Sequence, residues 1–295
     1  MNLRDYEILY DLPAGEYQGG MVEGIRTVTI RAGRSLEVLC YPRVKRIPEA
    51  AKREAKRRRS TAAMERINQR NLKNHVMRLA EINFTARAMV FTGTYEYLSD
   101  NDIGLLNRED VWREWEARGL PQAVEDVRRH VRNFLGKIRR RMAEPGGLKW
   151  MLRIEEKVKH AELGLPPAYH IHMLMECGGL NQDDVQALWP FGFSRCDRFD
   201  IGHDGANRIA EYITKNKQGG RWFSHSRNLK MPTVTVSDRK ISRRRAVRVA
   251  EDVRYAGREI MEKLHPGYRL MEEPRVTYSD FMPGAYIYCR MRRRD

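Results

Sequence analysis

The segment PPAYHIHMLME, Pro166–Glu176, reads as a β-strand with two unlike faces. Side chains alternate along an extended chain, so Tyr169, Ile171, Met173 and Met175 share one face, while His170, His172, Leu174 and Glu176 share the other. The first set is apolar apart from one hydroxyl and belongs to a core. The two imidazoles then leave a rigid strand in the same direction, which suits the binding of one metal ion. Two half-exposed surface histidines would give the same pattern, and His-x-His by itself does not separate the two readings. Two imidazoles and a carboxylate would leave positions on a divalent ion open to water or phosphate oxygens. Glu155, near the end of the preceding strand segment GGLKWMLRIEE (Gly146–Glu156), can supply that carboxylate if the two strands are neighbours. Glu156 points to the opposite face. Glu176 is on the histidine face but roughly 13 Å beyond His172 along an extended strand, too far without a bend.

Outward from this strand, the chain alternates between strand and helix patterns. Val22–Val44 holds two β-rich runs around RAGRS, a hairpin signature. Ala86–Leu98, rich in β-branched and aromatic residues, reads as a central strand. From Pro121 to Met142, Val124, Val127, Val131, Leu135, Ile138 and Met142 recur at helical spacing, and the last turn, KIRRRM, places positive charge where the helix dipole favours it. GFSRCDRFDI reads as a strand, Gly205–Lys217 as a helix with Ile209 and Ile213 inward, Ile241–Leu264 as one long basic helix, and GAYIYCRM as a final strand. Strands interspersed with helices, some joined as hairpins, predict an α+β fold in which helices pack on a central antiparallel sheet. One domain with basic helical additions is expected: 1–80 a hairpin and basic helix, 81–236 the core, and 237–295 a basic helix and closing strand.

The charge balance points to a polyanion. Lys and Arg number 55 against 39 Asp and Glu, a net charge of +16, with a pI near 9.9. Nucleic acid is the leading partner. A helix over 48–80 begins with Arg53, Lys56, Arg57, Arg58 and Arg59 close together, a run that serves equally as phosphate contact or as a solvated charged face. No membrane anchor, secretory signal or lipidation motif is visible, so a cytoplasmic protein is expected. Cys40, Cys177, Cys196 and Cys289 are scattered without a C-x-x-C pair and are expected to be reduced and structural. No phosphate-binding G-x-x-x-x-G-K-[ST] loop is present, so no built-in ATP-driven helicase is expected.

Downstream, IAEYITKNK sets Tyr212 and Lys215 on one helical face, with Arg208 a turn earlier. A tyrosine can act as nucleophile on a phosphodiester that a metal polarises. A tyrosine flanking an apolar helix stripe is also an ordinary core residue with a wet hydroxyl.

Taken together, His170-Ile171-His172 and the Tyr212 motif, Y-x-x-K, resemble the HUH endonucleases, specifically the single-tyrosine rolling-circle replication initiators of plasmids, phages and integrative elements. FTGTY, Phe91–Tyr95, is similar to the first motif of that family. The resemblance spans roughly Arg26 to Met291, and its His and Tyr motifs carry the mechanistic content. It implies an HUH/RRM-like central sheet, with Glu155, His170 and His172 holding Mg²⁺ or Mn²⁺. It also implies sequence-specific nicking and joining, in which Tyr212 attacks single-stranded or extruded origin DNA to form a 5′-phosphotyrosine link, with Lys215 assisting. A host polymerase and helicase in a bacterial cytoplasm would be the partners. Arg208, Lys217, Arg57, Arg58, Arg139 and Arg140 are the expected DNA contacts, and Trp222 or Tyr95 a base-stacking surface. The loop from Lys157 to Tyr169 is longer than the short basic turn of the family. A relaxase or transposase would share the chemistry, and a non-catalytic regulator would share the fold. Gly164, His170, His172 and Glu176 also resemble half of a cupin metal motif, which would instead imply an all-β barrel.

Overall fold

Antiparallel pairing organises the chain into two sheets, each with its own apolar core. The computed structural model describes residues 22–44, 61–143, 147–158, 163–200, 203–214, 223–279 and 282–294. The first elements are β1 (Val22–Ala32), β2 (Ser35–Val44), α1 (Thr61–Asn83) and β3 (Met89–Thr94). Then come α2 (Asp100–Leu105), α3 (Arg108–Ala117), α4 (Val124–Arg141), β4 (Lys149–Lys157), β5 (Ala168–Glu176), α5 (Gln182–Gln186) and β6 (Ser194–Arg198). The remainder is α6 (His203–Thr214), β7 (Phe223–His225), β8 (Thr233–Ser237), α7 (Arg243–Glu251), α8 (Ala256–Leu264), β9 (Tyr268–Leu270), β10 (Arg275–Ser279) and β11 (Met282–Arg293). Two compact units result, Met1–Ile82 with Lys230–Asp295, and Asn83–Leu229.

In the unit formed by the two ends of the chain, the order is β10-β11-β2-β1-β8, with β9 also paired to β11. The β1–β2 turn has Gly33 at φ 58°, a conformation that glycine adopts without steric cost. A Cβ there would also fall 2.5 Å from the Glu81 carbonyl oxygen of α1, so two constraints meet at this glycine. Leu36, Val38, Cys40, Ile287, Cys289 and Met291 of one sheet face bury against Val249 of α7 and Ile260 and Met261 of α8. The opposite face meets α1 through a buried ion pair between Glu37 and Arg78. The expectation of one central sheet is therefore corrected to two. The hairpin and the final strand, read as additions, pair with each other, and β8 within 81–236 pairs with β1.

The second unit has a five-stranded sheet in the order β6-β3-β5-β4-β7. One face carries Met89 and Phe91 of β3, Leu152 and Ile154 of β4, and Tyr169, Ile171, Met173 and Met175 of β5. Val127, Val131, Phe134, Leu135 and Ile138 of α4 cover it, which is the stripe its helical spacing predicts. The alternation in β5 thus selects the core face as read from the sequence. The sheet runs from edge to edge without closing, so the barrel that a cupin reading needs does not form.

Two further differences have local causes. Ile241–Leu264, read as one helix, is two. Asp252 leaves helical geometry at φ −136° and ψ 83°, and its carboxylate accepts the Tyr255 and Ala256 N–H groups at 2.9 and 3.2 Å. An aspartate that caps new N–H groups competes with continuing the helix. Helices α2 and α3 were not anticipated, although Ser99 with Asp102 and Asn107 with Asp110 mark both starts. All four cysteines are free and buried, and burial pushes the Cys40 and Cys196 thiols up to about 12. They are inert at neutral pH. Among the described residues no helix is long and apolar enough to cross a membrane.

Candidate active site

Strand register decides whether the separated sequence signals meet. In the antiparallel β4–β5 pair, Glu155 lies opposite His170 and Arg153 opposite His172. Directly opposed residues share a face, so Arg153, Glu155, His170 and His172 occupy one patch of the sheet. On the other side of β5, β3 sets Thr92 opposite His172 and Thr94 opposite His170. The FTGTY segment therefore lends its two threonines to the histidine face and Phe91 to the core.

Within the patch, His172 Nε2 and Glu155 Oε2 are 3.0 Å apart, with the ionised carboxylate as acceptor. His172 is nearly buried, at 9% side-chain exposure, and Glu155 is partly open at 20%. Burial lowers the His172 pKa, outweighing the hydrogen bond and negative charge of Glu155 that raise it. The imidazole is thus neutral at pH 7, the form that binds a cation. For Glu155, burial pushes upward, but the His172 hydrogen bond, then Lys157 and both imidazoles, bring the carboxyl below its ordinary range. Lys157 Nζ stands 4.0 Å from the carboxylate. The donor types and their shared face fit a divalent ion. Among the described residues, however, no three His, Cys, Asp or Glu side chains already converge as a metal would require. Glu155 instead hydrogen-bonds His172, a contact that metal binding would exchange for coordination.

The remaining carboxylates separate cleanly. Glu176 accepts hydrogen bonds from the Thr85 N–H and hydroxyl at 2.7 and 3.1 Å, and so ties down the loop before β3. Glu156 lies opposite Tyr169, hence on the core face.

Helix α6 packs against β4 and β5. Met151 and Leu174, on the histidine face yet fully buried, show that this end of the face is covered, and Ala206, Ile209 and Ala210 of α6 are buried as well. Tyr212 falls within α6, one turn after Arg208, but its side chain lies outside the described residues. Lys215, Lys217, Trp222, Arg57 and Arg58 also lie outside them. Arg208 is exposed and pairs with Asp200 at 2.6 Å. Arg139 and Arg140 are exposed in the last turn of α4. Tyr95 is only 4% exposed and packs among Tyr97, His130, Trp189 and Phe191, so it belongs to the core and offers no stacking surface.

Sequence reading missed Arg153. It is 7% exposed and sits beside His172 across the ladder. The period-2 pattern of LRIEE puts it on the same face as Glu155, and that was the available signal.

No protein-family model, curated protein or solved structure matches the chain.

Proposed function

We propose that this protein nicks and rejoins single-stranded DNA through a tyrosine nucleophile, as a rolling-circle replication initiator of the HUH type. One observation carries the reading: Glu155, His170 and His172 share one sheet face, and the helix containing Tyr212 packs on the two strands that bear them. These signals are separated by as many as 57 residues in sequence, yet they belong to one structural unit. The basic composition supports a polyanionic substrate.

In this account Glu155, His170 and His172 hold Mg²⁺ or Mn²⁺, which supplies Lewis-acid polarisation of the scissile phosphate when bound. The Tyr212 hydroxyl would give its proton to solvent and its oxygen would attack phosphorus. The bond from phosphorus to the 3′ oxygen breaks, and the departing oxygen takes up a proton to give a 3′-hydroxyl. A 5′-phosphotyrosine ester remains, conserving the bond energy for rejoining. Lys215, three residues beyond Tyr212 in sequence, would favour the ionised phenol and the anionic phosphate. Arg153 and Lys157 add positive charge beside the carboxylate, where a phosphate is drawn in. The free 3′ end would serve a host polymerase, with a host helicase opening the duplex. Relaxase and transposase activities would use the same groups on other substrates.

A second reading, a DNA-binding regulator without catalysis, is favoured by the Glu155–His172 hydrogen bond and by the adjacent cations. In that reading Arg153 and Lys157 offset the charge of a phosphate at this patch with no metal. Incubation with labelled random-sequence single-stranded DNA and Mn²⁺ separates the two. The proposal expects wild-type cleavage that EDTA stops and that Tyr212→Phe abolishes. Absence of metal-dependent cleavage by the wild type, with DNA binding retained, favours the regulator.

A further inference from the structure

Phe193 is 70% exposed, and no core contact accounts for a large apolar side chain at this place. Its position follows from the FGF sequence at 191–193. The Thr94 N–H donates to the Phe193 carbonyl at 2.9 Å and the Glu96 N–H to the Phe191 carbonyl at 2.9 Å, so the β3–β6 ladder continues past the end of β6. Between these bonds Gly192 adopts φ 146°, and a Cβ there would stand 2.5 Å from the Glu96 nitrogen. Only glycine permits that approach. The unusual residue sends the two phenylalanines separate ways. Phe191 enters the aromatic cluster, 4.1 Å from the His130 ring centroid, while Phe193 remains outside.

The outside face is the histidine face. Cys196 of β6 is buried in the core, within 3.6 Å of the Met89 sulfur, so alternation puts Arg195 and Phe193 on the opposite side. Ladder pairing then aligns Phe193, Thr94, His170 and Glu155 in one row across four chain segments. Arg195, Thr92, His172 and Arg153 form the next row. Phe193 is two strand spacings from His170, roughly 10 Å, comparable with the reach from a phosphate to the base of an adjacent nucleotide.

We infer that Phe193 is a stacking platform for an unpaired base next to the phosphate held at the histidine patch, with Arg195 beside it along the backbone path. A ring in solvent on a basic protein gains little unless an apolar face covers it, and every base offers one. The platform rests on the single-stranded DNA reading above and adds a recognition element to it.

Fluorescence anisotropy with a labelled oligothymidylate and with a blunt two-strand duplex, both without metal, tests it on the whole 295-residue chain. Phe193→Ala is expected to weaken single-strand binding roughly tenfold, within the range for one stacked base, while Phe193→Trp retains it. The slope of log affinity against log salt stays as in the wild type, since no charge is lost. Duplex binding and melting temperature also stay unchanged. Equal single-strand affinity for Phe193→Ala and wild type overturns the platform while leaving the endonuclease reading intact. An equal loss on the duplex overturns it too, because paired bases cannot stack there. No single-strand binding by the wild type overturns both.

Discussion

Two carboxylates on neighbouring-strand ladders, Glu37 and Glu155, meet opposite fates. Glu37 is sealed. It takes the Arg78 guanidinium at 2.7 and 2.8 Å and the Tyr288 hydroxyl at 3.0 Å, and both members of the ion pair are only 3% exposed. Glu155 meets His172 at 3.0 Å and Lys157 at 4.0 Å, and its side chain is 20% exposed. A closed set of donors spends its capacity on holding the fold. An open carboxylate beside a neutral imidazole keeps capacity for a ligand.

The largest effect expected of that comparison is on stability. Arg78→Ala leaves Glu37 buried without its counter-ion, and should cost about 3–5 kcal/mol in urea unfolding. Glu155→Gln should cost less than about 1 kcal/mol by the same measurement, the size of a partly exposed pair. Comparable losses at both positions would remove the distinction between a sealed and an open site. Function should respond in reverse: Glu155→Gln is expected to lower Mn²⁺ affinity at least about tenfold, read by calorimetry, the loss seen even when only a supporting group is removed.

Acid should separate the two sites next. Burial alone would raise the Glu37 carboxyl, but Arg78 dominates together with its hydrogen bond and holds it below 4.5. A depressed carboxyl contributes stability that is present above the unfolded value and is lost as pH falls through the folded one. The Glu37 contribution should therefore persist until pH drops below about 4.5. His172 is also held below its ordinary 6.5, so its neutral ligand form survives somewhat below that pH. Mn²⁺ binding measured from pH 8 to 4 should weaken in the imidazole range, before the end-formed unit unfolds. Loss of both together would contradict the contrast.

The smallest effect concerns the surface of α7. Ala246 and Val249 are buried, whereas Arg244, Val247, Arg248 and Glu251 face away from them, and no ion pair engages Arg244 or Arg248 among the described residues. Replacing both arginines by alanine should reduce the salt-dependence slope of DNA binding by about 2, with stability within about 0.5 kcal/mol. An unchanged slope would restrict any DNA path to the unit that carries the histidine face.

Much of the site was legible because a strand's period states which residues face together. HIHMLME and RIEE each identified a face before any pairing was known. What local pattern cannot give is partnership between strands distant in sequence. Val22–Val44 is recognisable as a hairpin, but nothing in it names β11, some 240 residues later, as the next strand, and so one sheet was expected where there are two. Phe193 escaped because its exposure depends on Gly192, whose unusual backbone is visible only once the Thr94 and Glu96 ladder bonds exist. The break at Asp252 was hidden for a similar reason: an aspartate inside an amphipathic pattern reads as a solvated residue until its carboxylate is seen capping α8.

The central claim is that Tyr212 performs the chemistry beside Glu155, His170 and His172. Mass mapping of the peptide left attached to DNA after incubation with Mn²⁺ and single-stranded DNA tests it most directly. A phosphodiester adduct on Tyr212, absent in Tyr212→Phe and in EDTA, is the predicted result. An adduct on another tyrosine, or cleavage with no adduct, would contradict it.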